Sequence, residues 1–255
     1  MFNPVAHHYG GSDWSIVNYM ILAAGRGSRM GNLSSYLQKC MYPIMGKPFL
    51  EWTLASLVAN QCFNAEMDRL ILVVGHMQEQ IKAYFGSLWY GIPITYVEQD
   101  DAIGTAHATL LGWQACSQTE GAIIVQADVW AEPEFYEDMV NHPLPDVLSV
   151  HRHVCARRHD ERVDLSKDTV AKAWKGTSPY VECGIWKFSP TLIRWMMKRK
   201  DDEFRALASV QAAIEAGLPI GFLERKRWIH LGGTEPTTHD NLKQVTRFLM
   251  DRATP

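Results

Sequence analysis

No apolar run in this 255-residue chain approaches the roughly 18 residues that a bilayer-spanning helix needs. No C-x-x-C pair occurs among the five cysteines, Cys40, Cys62, Cys116, Cys155 and Cys183. An odd, scattered set argues against a disulfide framework and a closed zinc site, and it points to a reducing, cytoplasmic setting. An excess of one charge sign is missing as well. The 25 Lys+Arg face 28 Asp+Glu, a formal net charge of −3 with histidines neutral. Such a balance leaves no footprint for non-specific binding to nucleic acid or to an anionic membrane. Residues 1–15 lack the basic and apolar regions of a signal peptide. With two glycines, a proline and the paired His7 and His8, they read as an irregular extension ahead of a single domain over 16–255.

What is present is an ordinary globular composition, 47% apolar and 21% charged, long enough to bury a substantial core. Apolar runs at 16–24, 69–75, 92–97, 121–127 and 146–150 have the length and the Val/Ile content of buried strands. Helical patterns lie between them at 47–60, 77–85 and 104–116. Strand and helix in alternation imply right-handed βαβ units and a mainly parallel sheet. Ligands of such sheets sit outside the carboxyl ends of the strands. The positions to interrogate are therefore 25–30, 75–76, 98–105 and 128–130.

The first strand runs into Gly25-Arg26-Gly27-Ser28-Arg29-Met30-Gly31, a turn whose glycines let backbone N–H groups approach a phosphate. Two familiar motifs do not fit it. A dinucleotide fingerprint needs glycine where Met30 stands and an acidic residue about 20 positions on, where Met45 stands. A Walker A loop needs a lysine directly after its second glycine. What remains is a glycine loop with its own arginine, followed by Lys39 and then by Gly46-Lys47-Pro48. Cations around such a loop suit a triphosphate, whose charge must be neutralised for attack at phosphorus. A plain solvated turn with stray basic residues would carry the same residues.

The stretch Leu22-Ala23-Ala24-Gly25-Arg26-Gly27-Ser28-Arg29-Met30 resembles the L-A-[AG]-G-x-G-[TS]-R-[ML] signature of the sugar-1-phosphate nucleotidylyltransferases, also called nucleoside-diphosphate-sugar pyrophosphorylases. Leu33 to Lys39 is similar to that family's L-T-x-x-x-P-K, with Ser34 for Thr and Gln38 for Pro. Gln99 to Ala108 resembles Q-x-x-x-L-G-T-A-x-A, and Asp128 resembles the metal-holding aspartate of the G-D-x motif. The resemblance implies a three-layer α/β sandwich with a mainly parallel, Rossmann-like mixed sheet. It implies transfer of NMP from an NTP to a sugar 1-phosphate, releasing pyrophosphate. By the same resemblance Arg29 and Lys39 act on the phosphates. Leu22, Ala24, Gly25, Gly27, Ser28, Gln99, Gly104 and Thr105 border the nucleotide, and Asp128 holds Mg²⁺. A homo-oligomer is compatible with this reading.

Beyond residue 130 the resemblance thins. Val181 to Trp186 is similar to N-x-G-[IL]-Y, which faces the acceptor, with Glu182 for the usual asparagine. Lys175 stands where a lysine for the sugar phosphate would fall. Trp228 to Pro236 resembles W-x-D-[IV]-G-T-P with His230 in place of the second metal aspartate. Imidazole suits Mn²⁺ or Co²⁺ better than Mg²⁺, so His230 as a ligand implies one of those ions. Two rival functions stay open: a cytidylyltransferase acting on a non-sugar phosphate such as phosphocholine, and a nucleotide-binding relative that has lost turnover. The chain ends soon after this block, which leads us to expect no appended acetyltransferase β-helix. His151, His153, Cys155 and His159 lack the ligand spacing of a structural zinc site and read as a half-exposed strand.

Overall fold

The computed structural model describes residues 16–101, 103–116, 118–152, 161–198, 205–226 and 229–231, with positions 243, 246, 247 and 250. Strand β1 (Asn18–Ala23) comes first, then two 3-10 segments (Ser28–Ser35 and Lys39–Met41). A short hairpin of β2 (Pro43–Ile44) and β3 (Lys47–Pro48) leads into α1 (Phe49–Val58). Next come β4 (Arg69–Val74), α2 (Gln78–Phe85), β5 (Leu88–Trp89), β6 (Ile92–Glu98), α3 (Thr105–Gln114) and β7 (Ala122–Gln126). The second half holds β8 (Val129–Trp130), α4 (Pro133–Asn141), β9 (Val147–Arg152), β10 (Arg162–Ser166), β11 (Thr169–Lys172) and β12 (Tyr180–Phe188). It continues with α5 (Pro190–Lys198), α6 (Ala206–Glu215), β13 (Gly221–Glu224) and β14 (Ile229–His230).

All five expected strands and all three expected helices are present. The helix expected from residue 47 starts two residues later, because Pro48 holds extended backbone (φ −55°, ψ 144°) and pairs with Pro43. Residues 1–15, including His7 and His8, lie outside the described residues, as do His153, Cys155 and His159. Of the described cysteines, Cys40 and Cys116 are free thiols.

Among the described residues the main sheet has ten strands in the order β10-β11-β13-β9-β12-β7-β1-β4-β6-β5. The run β7-β1-β4-β6 is parallel, with Met20 level with both Ile71 and Ile124. Beyond β7 the sheet turns mixed: β12 is antiparallel to β7 and β9, while β13 is parallel to β9. Alternate residues of β1 serve opposite faces, as the period of two demands. Tyr19, Ile21 and Ala23 pack with Leu50, Leu54, Ile81 and Tyr136. Met20 packs on the other side with Trp113, Leu192 and Val210. The result is a three-layer sandwich with α1, α2 and α4 on one face and α3, α5 and α6 on the other.

The sandwich follows from handedness. The chain steps β1→β4→β6 in one direction, so right-handed crossovers put α1 and α2 on one face. It then doubles back from β6 past β1 to β7, and the same hand puts α3 on the opposite face. The reversal leaves a crevice at the carboxyl ends of β1 and β7. A third, smaller cluster, Ile44, Phe49, Trp130, Ile229 and Leu231, packs the β2–β3 hairpin against the separate β8–β14 pair.

Candidate active site

That crevice holds a cavity of about 250 Å³. Its walls include the end of β1 and the glycine loop: Leu22, Ala24, Gly25, Gly27, Ser28 and Arg29. Lys39, Gln99, Gly104, Thr105 and Asp128 also line it. Positions spread over more than a hundred residues of sequence thus converge on one space.

Two local features shape the loop. Gly27 adopts φ 62°, and a Cβ there would stand 3.0 Å from the Lys39 Cβ, so both backbone and space favour glycine. Ser28 and Arg29 then open the first 3-10 segment, with Met30 N–H donating to Gly27 O at 2.8 Å.

Lys39 Nζ is ion-paired with Asp128 Oδ2 across the cavity. Burial pushes the Asp128 carboxyl up, but Lys39, then His230 and Arg29, hold it below the ordinary carboxylate range. Asp128 is therefore ionised at neutral pH, with Lys39 and Arg29 as cationic neighbours. His230 reaches it through β14, which pairs with β8 directly after Asp128, and Leu231 N–H donates to Asp128 O at 2.8 Å.

Gln99 is 3% exposed, and its amide orientation is fixed. Its Nε2 donates to Gly104 O at 3.2 Å and lies 2.9 Å from His107 Nδ1. A carbonyl only accepts, so the amide nitrogen must face Gly104, and His107 Nδ1 must be an acceptor too. Oε1 is left as the acceptor that Gln99 can present. Thr105 opens α3, and its Oγ1 accepts from Ala206 N–H at 2.9 Å, which ties the cavity wall to the start of α6.

Two expected acceptor residues are not brought into the cavity. Glu182 is buried in β12, where its Oε1 accepts from Gly184 N–H and, at 2.6 Å, from Trp186 Nε1–H. Burial raises its carboxyl to about 7. The side chain serves the strand irregularity at Gly184, where a Cβ would meet Val129 Cγ2 at 2.9 Å. Lys175 is exposed in the turn before β12, its ammonium 5.7 Å over the Trp174 ring, a cation–π contact. Conversely, the cavity includes Gln38, Cys40 and Gln126, which the sequence reading did not single out. The substitution of Gln38 for proline was the one available signal, and it read only as a mismatch. Cys40 is no nucleophile, because burial drives its thiol well above the reactive range.

Among the described residues no group of three or more His, Cys, Asp and Glu side chains converges to hold a metal. Asp128 and His230 offer one carboxylate and one imidazole. That set fits a divalent ion that completes its coordination with oxygens of a bound ligand, and it does not fit a preformed protein cage.

The fold superposes on that of the inositol-1-phosphate CTP transferase of T. maritima with a TM-score of 0.72 at 15% identity, over 90% of this chain and 96% of that one. The chain belongs to the MobA-like NTP transferase domain family, which it matches over residues 19–200. It is 29% identical over 136 residues to CMP-5'-(3-aminopropyl)phosphonate synthase of Streptomyces rubellomurinus, 53% of this chain and 21% of that one. It is 32% identical over 109 residues to D-glycero-alpha-D-manno-heptose 1-phosphate guanylyltransferase of Aneurinibacillus thermoaerophilus, 43% of this chain and 45% of that one. The match thus spans less than half the length of either curated relative.

Proposed function

We propose that the protein is a nucleotidylyltransferase that transfers NMP from an NTP to a sugar 1-phosphate, giving an NDP-sugar and pyrophosphate. The Lys39–Asp128 pair beside the glycine loop, in one cavity at the crossover reversal, carries the reading. An oxygen of the acceptor phosphate attacks the α-phosphorus in line as the bond to the pyrophosphate oxygen breaks. The attacking oxygen is already anionic, so no side chain has to remove a proton. The chain's task is positioning and charge neutralisation. Loop N–H groups and Ser28 cradle the phosphates, while Arg29 and Lys39 neutralise charge on the departing pyrophosphate. Leu22, Ala24, Gly104 and Thr105 flank the nucleoside, and Gln99 Oε1 accepts from an N–H of the base. Asp128, with His230 behind it, would hold a divalent cation, which when bound screens the charge of the phosphates.

A non-sugar phosphate or phosphonate acceptor is the second reading. Glu182, expected at the acceptor, spends its carboxylate inside β12, which removes one group that would have read sugar hydroxyls. Relatives named for phosphonate and inositol phosphate substrates agree with it. A thermal-shift screen of CTP, UTP, GTP and dTTP, followed by pyrophosphate release with sugar 1-phosphates, inositol 1-phosphate, phosphocholine and a phosphonate, tests both. One nucleotide should raise the melting temperature, and one acceptor class should turn over. No shift with any NTP would overturn both readings. A shift with no turnover for any acceptor would favour a binding-only relative.

A further inference from the structure

Gln38 stands where the family pattern has proline, and its backbone keeps a proline-like φ of −63°. Nothing in the chain path therefore demands glutamine. The side chain explains it. Gln38 is 2% exposed, yet every polar atom of its amide is engaged. Nε2 donates to Ala23 O at 2.8 Å and to Gly25 O at 3.3 Å, and Oε1 accepts from Cys40 N–H at 2.7 Å. Two carbonyls on one side and an N–H on the other permit a single amide orientation.

The backbone is held as well. Gln38 N–H donates to Gln80 Oε1 at 2.8 Å, and Gln80 Nε2 donates to Tyr36 O at 2.9 Å. A proline at 38 could make none of the bonds from this N–H or this amide. The consequence falls on the glycine loop. In a trans peptide the C=O and the following N–H point in opposite directions. Pinning Ala23 O and Gly25 O therefore fixes the directions of the Ala24 and Arg26 N–H groups. The intervening peptide is pinned from the other side, where His76 N–H donates to Ala24 O at 3.3 Å. The same glutamine immediately precedes Lys39, whose side chain lies against Gly27 and pairs with Asp128.

We propose that Gln38 is a positioning residue: its amide locks the glycine loop to Lys39, so that loop N–H groups and the Lys39 ammonium face the same phosphates, with Gln80 bracing it from α2. This rests on the reading of the cavity as a triphosphate site. Gln38 acts through Lys39 and the loop, because its own donors and acceptor are already committed.

The test combines amine labelling of Lys39, followed by mass spectrometry without nucleotide, with affinity for the NTP that shifts wild type most. Gln38→Leu keeps the volume and removes the bonds. We expect Lys39 to label several-fold faster and nucleotide affinity to fall roughly ten-fold, the scale of one lost hydrogen bond. In a Lys39→Met background the same change should cost much less affinity, since the residue it positions is gone. Gln80→Met, remote from the cavity, should give the same two changes in smaller measure and decides the matter if Gln38→Leu does not fold. Unchanged labelling in the folded variant, or an affinity penalty fully retained without Lys39, overturns the proposal. If wild type binds none of the four NTPs, the labelling still tests the lock, while the function proposed above fails on its own.

Discussion

Lys39 and Asp128 show what a single residue decides. Each neutralises the other in a partly buried cavity, so removing one leaves an uncompensated charge, which costs more than the pair contributes. Lys39→Met is expected to lower stability at pH 7 by about 2 kcal/mol and pyrophosphate release by ~100-fold, the range for a lost donor to a leaving group. The pH dependence has a definite sign. Asp128 has a depressed carboxyl in the folded protein, so its pairing stabilises above the ordinary carboxylate range and is lost as pH falls below it. Melting curves of wild type and Lys39→Met should therefore converge in acid and separate toward neutrality. A gap that widened in acid would show that the pair does not hold Asp128 ionised. Both residues were legible in the sequence through their surrounding motifs. Gln38 was not, because its partners Ala23, Gly25 and Gln80 are brought to it only by the fold.

At the scale of elements, legibility followed burial. Strands β1, β4 and β7 are apolar almost throughout because both faces are covered, and they stood out as continuous runs. Strand β12 is just as buried but contains Glu182 and Lys187, whose charges broke the pattern. Lys187 is fully buried because its ammonium donates to Val140 O and His142 O, both at 2.9 Å, at the end of α4. Glu182 yields a prediction specific to this strand. Its carboxyl is raised from 4.5 to about 7 by burial. It therefore favours the folded state most when protonated, and that contribution is lost as pH rises from about 4.5 through about 7. Asp68, raised to about 6, acts in the same direction. Glu182→Gln should flatten the fall in melting temperature between pH 5 and pH 8 without abolishing it, since Asp68 remains. An unchanged slope would mean that Glu182 keeps an ordinary carboxyl in the folded protein.

At the scale of the molecule, the crossover reversal makes one crevice, and the small β8–β14 pair brings a distant part of the chain to it. The sandwich and the crevice could be reasoned from alternating elements and handedness. The approach of β14 to Asp128 was legible only through the resemblance of Trp228 to Pro236, because a two-residue strand outside the main sheet has no periodicity to read. Its effect is to set His230 beside Asp128 and to fasten it through Leu231 N–H and the cluster of Ile44, Trp130 and Ile229. A neutral imidazole adds one nitrogen and no charge, so the pair of side chains holds one negative charge fewer than two aspartates would. Nitrogen also favours the softer ions over Mg²⁺. Wild type is therefore expected to release pyrophosphate faster with Mn²⁺ or Co²⁺ than with Mg²⁺. His230→Asp should move the preference several-fold toward Mg²⁺, because a second carboxylate supplies the oxygen and the charge that a hard cation prefers. His230→Ala separates ligand from bystander: loss of the Mn²⁺ advantage at an unchanged melting temperature marks a ligand. An identical metal profile in all three proteins would remove His230 from the metal and leave Asp128 and the triphosphate to hold it alone.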